Sequence, residues 1–378
     1  MAALTEEQGM IRDQARSWVN EQSPVRQFRE MRDSGVEAAF KSDTWQAMVD
    51  MGWTGILVPE QYGGLDLGYM TFGLVLEECG RQLVASPLFS SAFVGASALV
   101  LGGNEEQKQQ PLPGVVDGSQ IVTLAVDEGP RHAPGKVALK AVVDGENFIL
   151  SGEKTLVPEG MSATTLIVAA RTSGAAGEAD GITLFMVPAN TDGLNRSRLA
   201  TMDSRGYANI SFDNVKLNKT AILGEYDKGY LLLEGILDRA RSGLGAEMLG
   251  TASQAFDMTL EYLKTRVQFG RVIGSFQALG HRAADLFTEM ELARSCVEAA
   301  LLAIDEGAEN LGEAASLSKS RVGDFLHHMS NELIQLHGGI GMTDEFDAGF
   351  YLKRARVVEA LYGNQAYHKD RYARLLGF

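Results

Sequence analysis

Leu237–Gly270 reads LDRARSGLGAEMLGTASQAFDMTLEYLKTRVQFG. Apolar side chains recur at helical spacing through Leu237, Leu244, Met248, Phe256, Leu260 and Leu263, which predicts one long helix. The pattern runs over about 227–265, well beyond an average globular helix of about 11–12 residues. It closes in Arg266, Gln268, Phe269 and Gly270, a basic, aromatic and glycine-terminated turn. A carboxylate, Glu247, lies on a face that otherwise reads as buried. It shares that face with Leu244 and Thr251 through i−3 and i+4 spacing, and Gly245 and Gly250 leave room for close neighbours. The other reading of Glu247 is a solvated residue on the rim of the helix.

Long helical patterns continue over 276–306 and 312–337, and a final helix is expected at about 346–376. Four such helices predict a bundle. On the other side, short β-rich runs fill the chain from Ile121, among them IVTLAV, NFILSGEKTLV, TTLIVAART and ISFDNVKL. Roughly six or seven such strands, broken by Gly, Asp, Asn and Pro, predict a small barrel or sandwich. Residues 4–35, 43–51, 69–84 and 86–102 again read as helices, with Thr5 and Gln8 as a capping box. The expected fold is therefore α+β and multidomain: an N-terminal helical domain (1–120), a central small β-barrel (121–225) and a C-terminal four-helix bundle (226–378).

With 378 residues the chain can bury a large core. Its 34 basic against 49 acidic side chains give a net charge of −15, which argues against nucleic acid as a partner. The two cysteines, Cys79 and Cys296, have neither metal nor disulfide spacing, and no metal site is expected. The N-terminal stretch is amphipathic and acidic rather than a signal peptide, and no apolar run of roughly 20 residues predicts a membrane span. A cytoplasmic location is the expectation.

RVQFGRVIGSFQALGHRAADLF at 266–287 and QLHGGIGMTDEF at 335–346, in this helical–β–helical order, resemble the acyl-CoA dehydrogenase family over essentially the whole chain. The resemblance implies FAD as cofactor, an acyl-CoA substrate and an electron-transfer flavoprotein as electron acceptor. It implies that Arg266, Gln268 and Phe269 hold the adenine and pyrophosphate half of FAD across a subunit interface, with Gln335, Gly338 and Gly339 along the pyrophosphate. Charged forks and close-approaching glycine backbone suit phosphate, and an aromatic face suits adenine. It also implies α-proton abstraction by a carboxylate as hydride leaves the β carbon. The family's commonest base precedes a glycine near the last stretch, where this chain has Tyr362–Gly363. A second family position on the long helix is Ala240. Glu247 remains, in GLGAEMLG, similar to the base-bearing segment of steroid-type heteromeric members. Asp238 and Arg241 match an Asp-x-x-Arg pair near the substrate thioester, and they equally form an ordinary i, i+3 pair.

The β region departs from the family. The loop that contacts flavin in other members is VDEGPRHAPG at 126–135, and Leu156 stands where a tryptophan usually packs on the flavin. This favours a heterotetramer with a second acyl-CoA dehydrogenase-like chain, with a homo-oligomer as the alternative. A catalytically silent subunit that completes a partner's FAD site is the rival reading. His281 is expected to be a packing residue.

Overall fold

A computed structural model describes residues 4–378. The helices and strands run in chain order as Glu6–Gln22 (α1), Val25–Ser34 (α2), Ser42–Asp50 (α3), Gly68–Arg81 (α4), Ala96–Gly102 (α5), Glu105–Gln109 (α6) and Pro111–Val116 (α7). The strands Val122–Ala125 (β1), Lys140–Asp144 (β2), Asn147–Pro158 (β3), Thr165–Arg171 (β4), Ile182–Pro188 (β5), Leu194–Arg198 (β6), Tyr207–Asn218 (β7) and Ile222–Leu223 (β8) follow. The long helix Gly229–Thr265 (α8) leads into the strand pair Val267–Gln268 (β9) and Arg271–Val272 (β10). Gln277–Asp305 (α9), Leu311–His337 (α10), Ala348–Ala360 (α11) and Gln365–Leu375 (α12) complete the chain. The helical, β, helical order is the expected one. No helix among the described residues is long and apolar enough to cross a membrane. The first three residues of the N-terminal stretch lie outside the described residues.

Two departures from the expected helices have local causes. The stretch 4–35 is two helices, because Pro24 cannot continue a hydrogen-bonded turn, while the Thr5–Gln8 capping box forms with both bonds at 3.1 Å. The final stretch is also two helices. They part at Tyr362 and Gly363, which take φ of 57° and 106°.

The chain forms two compact units, each discontinuous in sequence. One comprises 30–68 and 85–240. Its eight-stranded sheet runs β6-β7-β3-β2-β4-β5-β8, with β1 pairing parallel to β4. Phe148, Leu150, Val168, Phe185, Ile210 and Phe212 are among the residues of an apolar core cluster built on this sheet. In the same unit Leu88–Gly95 is a π-helix buried along its whole length. It lies against β1, where Val122 N–H donates to Ser91 Oγ at 3.0 Å.

The other unit holds 69–84 and 241–378 together with the segment ending at Arg29. Within it α10 packs against α9, α11 and α12. Helix α4 crosses the C-terminal part of α8 with backbone against backbone. A Cβ on Gly80 would strike the Glu247 carbonyl oxygen, and a Cβ on Gly250 would strike that of Glu77. Thr251 Oγ1 donates across the crossing to the Gly80 carbonyl at 3.2 Å. Gly250→Ala is expected to lower the unfolding free energy by about 1–3 kcal/mol through overpacking, read as a lower thermal midpoint. An unchanged midpoint would show that the two helices have room to spare.

Candidate active site

Glu247 is 8 % exposed, so it is not on the helix rim. A bare carboxylate there would be costly to ionise. Arg354 on α11, itself 7 % exposed, supplies the counter-charge. Its Nε donates at 2.9 Å and its Nη2 at 2.6 Å, both to Glu247 Oε1. Oε1 is thus anchored by two donors of one guanidinium. The pairing spans 107 residues of sequence, and nothing local in the chain signals it.

Arg241, six residues before Glu247, is fully buried. It donates from Nε to the Tyr362 carbonyl at 3.4 Å and from Nη2 to the Tyr367 hydroxyl at 3.1 Å. His368 Nε2 donates to the same Tyr362 carbonyl at 3.1 Å. Lys319 Nζ donates to the carbonyls of Val358, Glu359 and Gly363 at 2.9, 3.2 and 3.1 Å. Three basic side chains therefore clamp the turn at Tyr362–Gly363. Tyr362 is held there in a left-handed conformation that costs a non-glycine residue on the order of 1–3 kcal/mol. Burial pulls the Lys319 ammonium down to about 7, against a partial counter-pull from Glu359. Asp238 is buried as well, at 7 % exposure.

The two glycine-containing segments meet through an aromatic contact. Tyr262, near the end of α8, stacks on His337 at the end of α10 with ring centroids 4.3 Å apart. The Tyr262 carbonyl also accepts from Arg266 N–H at 2.9 Å. Beyond it, β9 and β10 pair as Gln268 to Arg271 and Val267 to Val272. The two-residue turn has Phe269 at φ 55° and Gly270 at φ 78°. This is the type I′ pattern, which ordinarily favours Asn-Gly. A phenylalanine held left-handed with its side chain turned outward, 89 % exposed, reads as a ligand or partner contact. Arg266, Gln268, Gln335, Gly338 and Gly339 are exposed too. A Cβ at Gly338 or Gly339 would meet nothing within 4 Å, so a ligand has open access to that backbone.

In the β-containing unit, the loop 126–135 is tied down by hydrogen bonds within itself and to residues 138, 139 and 154. Lys154, fully buried, donates to the Val126 carbonyl at 2.9 Å and to Glu128 Oε1 at 2.6 Å. Glu128 also accepts the N–H groups of Ala138 and Leu139 at 2.8 and 3.0 Å. His132 Nδ1 sits 2.9 and 3.0 Å from the two Asp127 oxygens. Burial works to raise the Asp127 carboxyl, but the hydrogen bond and charge of His132, the Ala133 N–H and the Lys154 charge together outweigh it and hold the group below its ordinary value. The Asp127–His132 pair went unread in the sequence, where the five-residue spacing carries no motif. Leu156 takes φ 52° at the register shift between Lys154 and Val157. His281 is exposed, which corrects the expectation of a packing role: it lies on the outward face of α9. No group of His, Cys, Asp and Glu among the described residues is arranged to hold a metal.

Three family models tile the chain: acyl-CoA dehydrogenase N-terminal domain over 5–119, middle domain over 129–215 and C-terminal domain over 227–377. The chain belongs to the acyl-CoA dehydrogenase family, oxidoreductases acting on CH–CH bonds. It is similar to the probable acyl-CoA dehydrogenase YngJ of Bacillus subtilis, with 32 % identity over 94 % of each chain. It is equally similar to a solved variant of the steroid ACAD Tcur3481-Tcur3483, with 32 % identity, 98 % of each chain covered and a TM-score of 0.89. The ChsE4-ChsE5 complex of Mycobacterium tuberculosis matches at 25 % identity and a TM-score of 0.90, over 100 % of this chain and 99 % of that one.

Arg354→Ala removes one partner of a buried pair and is expected to destabilise the fold by about 3–5 kcal/mol. Removing both charges, as in Glu247→Gln with Arg354→Met, should recover most of that in a denaturant titration. Lys319 gives a pH signature. Its folded-state value is lowered, so the unfolded chain binds more protons between about pH 7 and the ordinary 10.5. Stability should therefore rise with pH across that window, by at most about 1.4 kcal/mol per unit. Lys319→Met should flatten the rise, as followed by thermal unfolding at a series of pH values.

Proposed function

We propose that this chain is a subunit of a flavoenzyme that introduces an α,β double bond into an acyl-CoA thioester, with Glu247 as the base. The observation that carries the reading is the state of Glu247: a buried carboxylate fixed through Oε1 by two hydrogen bonds from Arg354. Oε2 takes the α proton. Arg354 prevents rotation of the carboxylate and compensates its charge before the proton arrives. A general base of this kind contributes about 100- to 10,000-fold. Arg241 serves as a positioning residue through the Tyr362–Gly363 turn, and Asp238 stands one helical turn before it, toward the thioester.

FAD supplies the hydride acceptor when bound. The residues present fit it. Arg266 offers a guanidinium to a phosphate, Phe269 an exposed ring face to adenine, and the open backbone at Gly338–Gly339 N–H groups to the pyrophosphate. Both segments lie in one unit and are brought together by the Tyr262–His337 stack. By family resemblance the electrons pass on to an electron-transfer flavoprotein. The self-contained loop 126–135 and the two-component names of the steroid ACAD and ChsE4-ChsE5 neighbours support assembly with a second, related chain.

The chain expressed alone should be nearly colourless and turn yellow when a second acyl-CoA dehydrogenase-like chain is co-expressed. In that assembly, acyl-CoA thioesters should bleach the flavin absorbance. Glu247→Gln should slow bleaching by about 100- to 10,000-fold at unchanged flavin content. Bleaching at the wild-type rate would remove Glu247 from the chemistry.

A further inference from the structure

A cavity of about 320 Å³ opens in the β-containing unit, lined by seven residues: Arg32 of α2 and six from the segment 198–205 that links β6 to β7. Three of the seven are arginines, Arg32, Arg198 and Arg205, and none is acidic. The chain as a whole carries 49 acidic against 34 basic side chains, so this convergence runs against its composition. We propose that the cavity is a binding site for a phosphate-bearing small molecule, separate from the segments assigned to FAD.

The arginines are positioned rather than loose. Arg32 Nε donates to Asp33 Oδ1 at 2.8 Å, and Arg198 Nη1 to the Val36 carbonyl at 3.2 Å. Arg205 is 6 % exposed. The connecting loop is shaped by Asp203, whose Oδ1 accepts from Thr201 Oγ1 at 2.7 Å and from Arg205 N–H at 3.4 Å. Ser204, at φ 55°, closes the loop by donating its N–H to the Thr201 carbonyl at 3.1 Å. Thr201 and Ser204 therefore line the same cavity as the three arginines.

The donor set selects the ligand. Each guanidinium carries five N–H donors in a fixed fork, of which Arg32 already gives one to Asp33 and Arg198 one to the Val36 carbonyl. A single carboxylate has two oxygens and cannot engage three forks. A diphosphate has enough oxygens to do so, and arginine–phosphate pairing is bidentate and charge-assisted. The volume lies at the lower end of the range for small-molecule pockets, about 300–1,000 Å³, which suits a diphosphate or a nucleoside diphosphate.

Calorimetric titration of the flavin-loaded assembly with inorganic pyrophosphate, ADP, adenosine and succinate tests the site. Saturable binding of pyrophosphate is expected, weakened by added salt and stronger than any binding of succinate. ADP binding more tightly than pyrophosphate, with adenosine silent, would assign the site to a nucleotide. Equal binding of the two would assign it to free phosphate. Arg198→Gln, at an exposed position whose change should leave the thermal midpoint alone, is expected to weaken binding at least tenfold. Arg32→Gln serves as a second variant, and Arg374→Gln, at an exposed position outside the cavity, should leave pyrophosphate binding as it was. Absence of saturable binding would overturn the proposal. So would wild-type binding in both cavity variants, or loss of binding in Arg374→Gln alone.

Discussion

A carboxylate and a guanidinium buried together, Glu247 and Arg354, set the terms for the helical unit. Each ion taken alone from water costs several kcal/mol, so neither can occupy its position without the other. Their 2.6 Å contact fixes α11 against the long helix. The same stretch of α8 is held on another side by α4, whose backbone comes close only because residues 80 and 250 have no side chain. A carboxylate caught between these two constraints has one oxygen committed and little freedom to turn. That geometry gives a base its aim.

Much of this architecture is legible in the chain. The period of apolar residues marks α8, α9 and α10 to within a few residues, and the Thr5–Gln8 box marks the start of α1. Breaks are harder to read. Pro24 splits the first helical stretch, and Tyr362–Gly363 splits the last, although the local pattern stays amphipathic through both. In the second case the left-handed turn is imposed from outside, by Arg241, Lys319 and His368 acting on its carbonyls. Tertiary hydrogen bonds of this kind leave no local signature.

The site divides in the same way. Glu247 stands out in sequence because a carboxylate interrupts a buried face. Its partner does not: Arg354 is one of many arginines until the fold brings it 107 residues back. Arg266, Phe269, Gly338 and Gly339 are visible as family motifs, but their meeting depends on Tyr262 and His337, two residues with no marked spacing. The loop at 126–135 is visible only as a departure. Its internal closure by Asp127–His132 and Glu128–Lys154 explains how a loop rich in charge stays ordered. The features legible in advance rest on local periodicity or motif, and the missed pairing of Glu247 with Arg354 joins distant segments.

The claim at the centre of this account is that Glu247 Oε2 removes the α proton. Exchange isolates that step from hydride transfer. A non-oxidisable acyl-CoA analogue, with sulfur in place of the β carbon, is incubated in deuterated water with the flavin-loaded assembly, and α-hydrogen exchange is followed by NMR. The account predicts exchange catalysed by the wild type and lost in Glu247→Gln at equal analogue affinity. Undiminished exchange in Glu247→Gln would contradict it and assign the proton to another group.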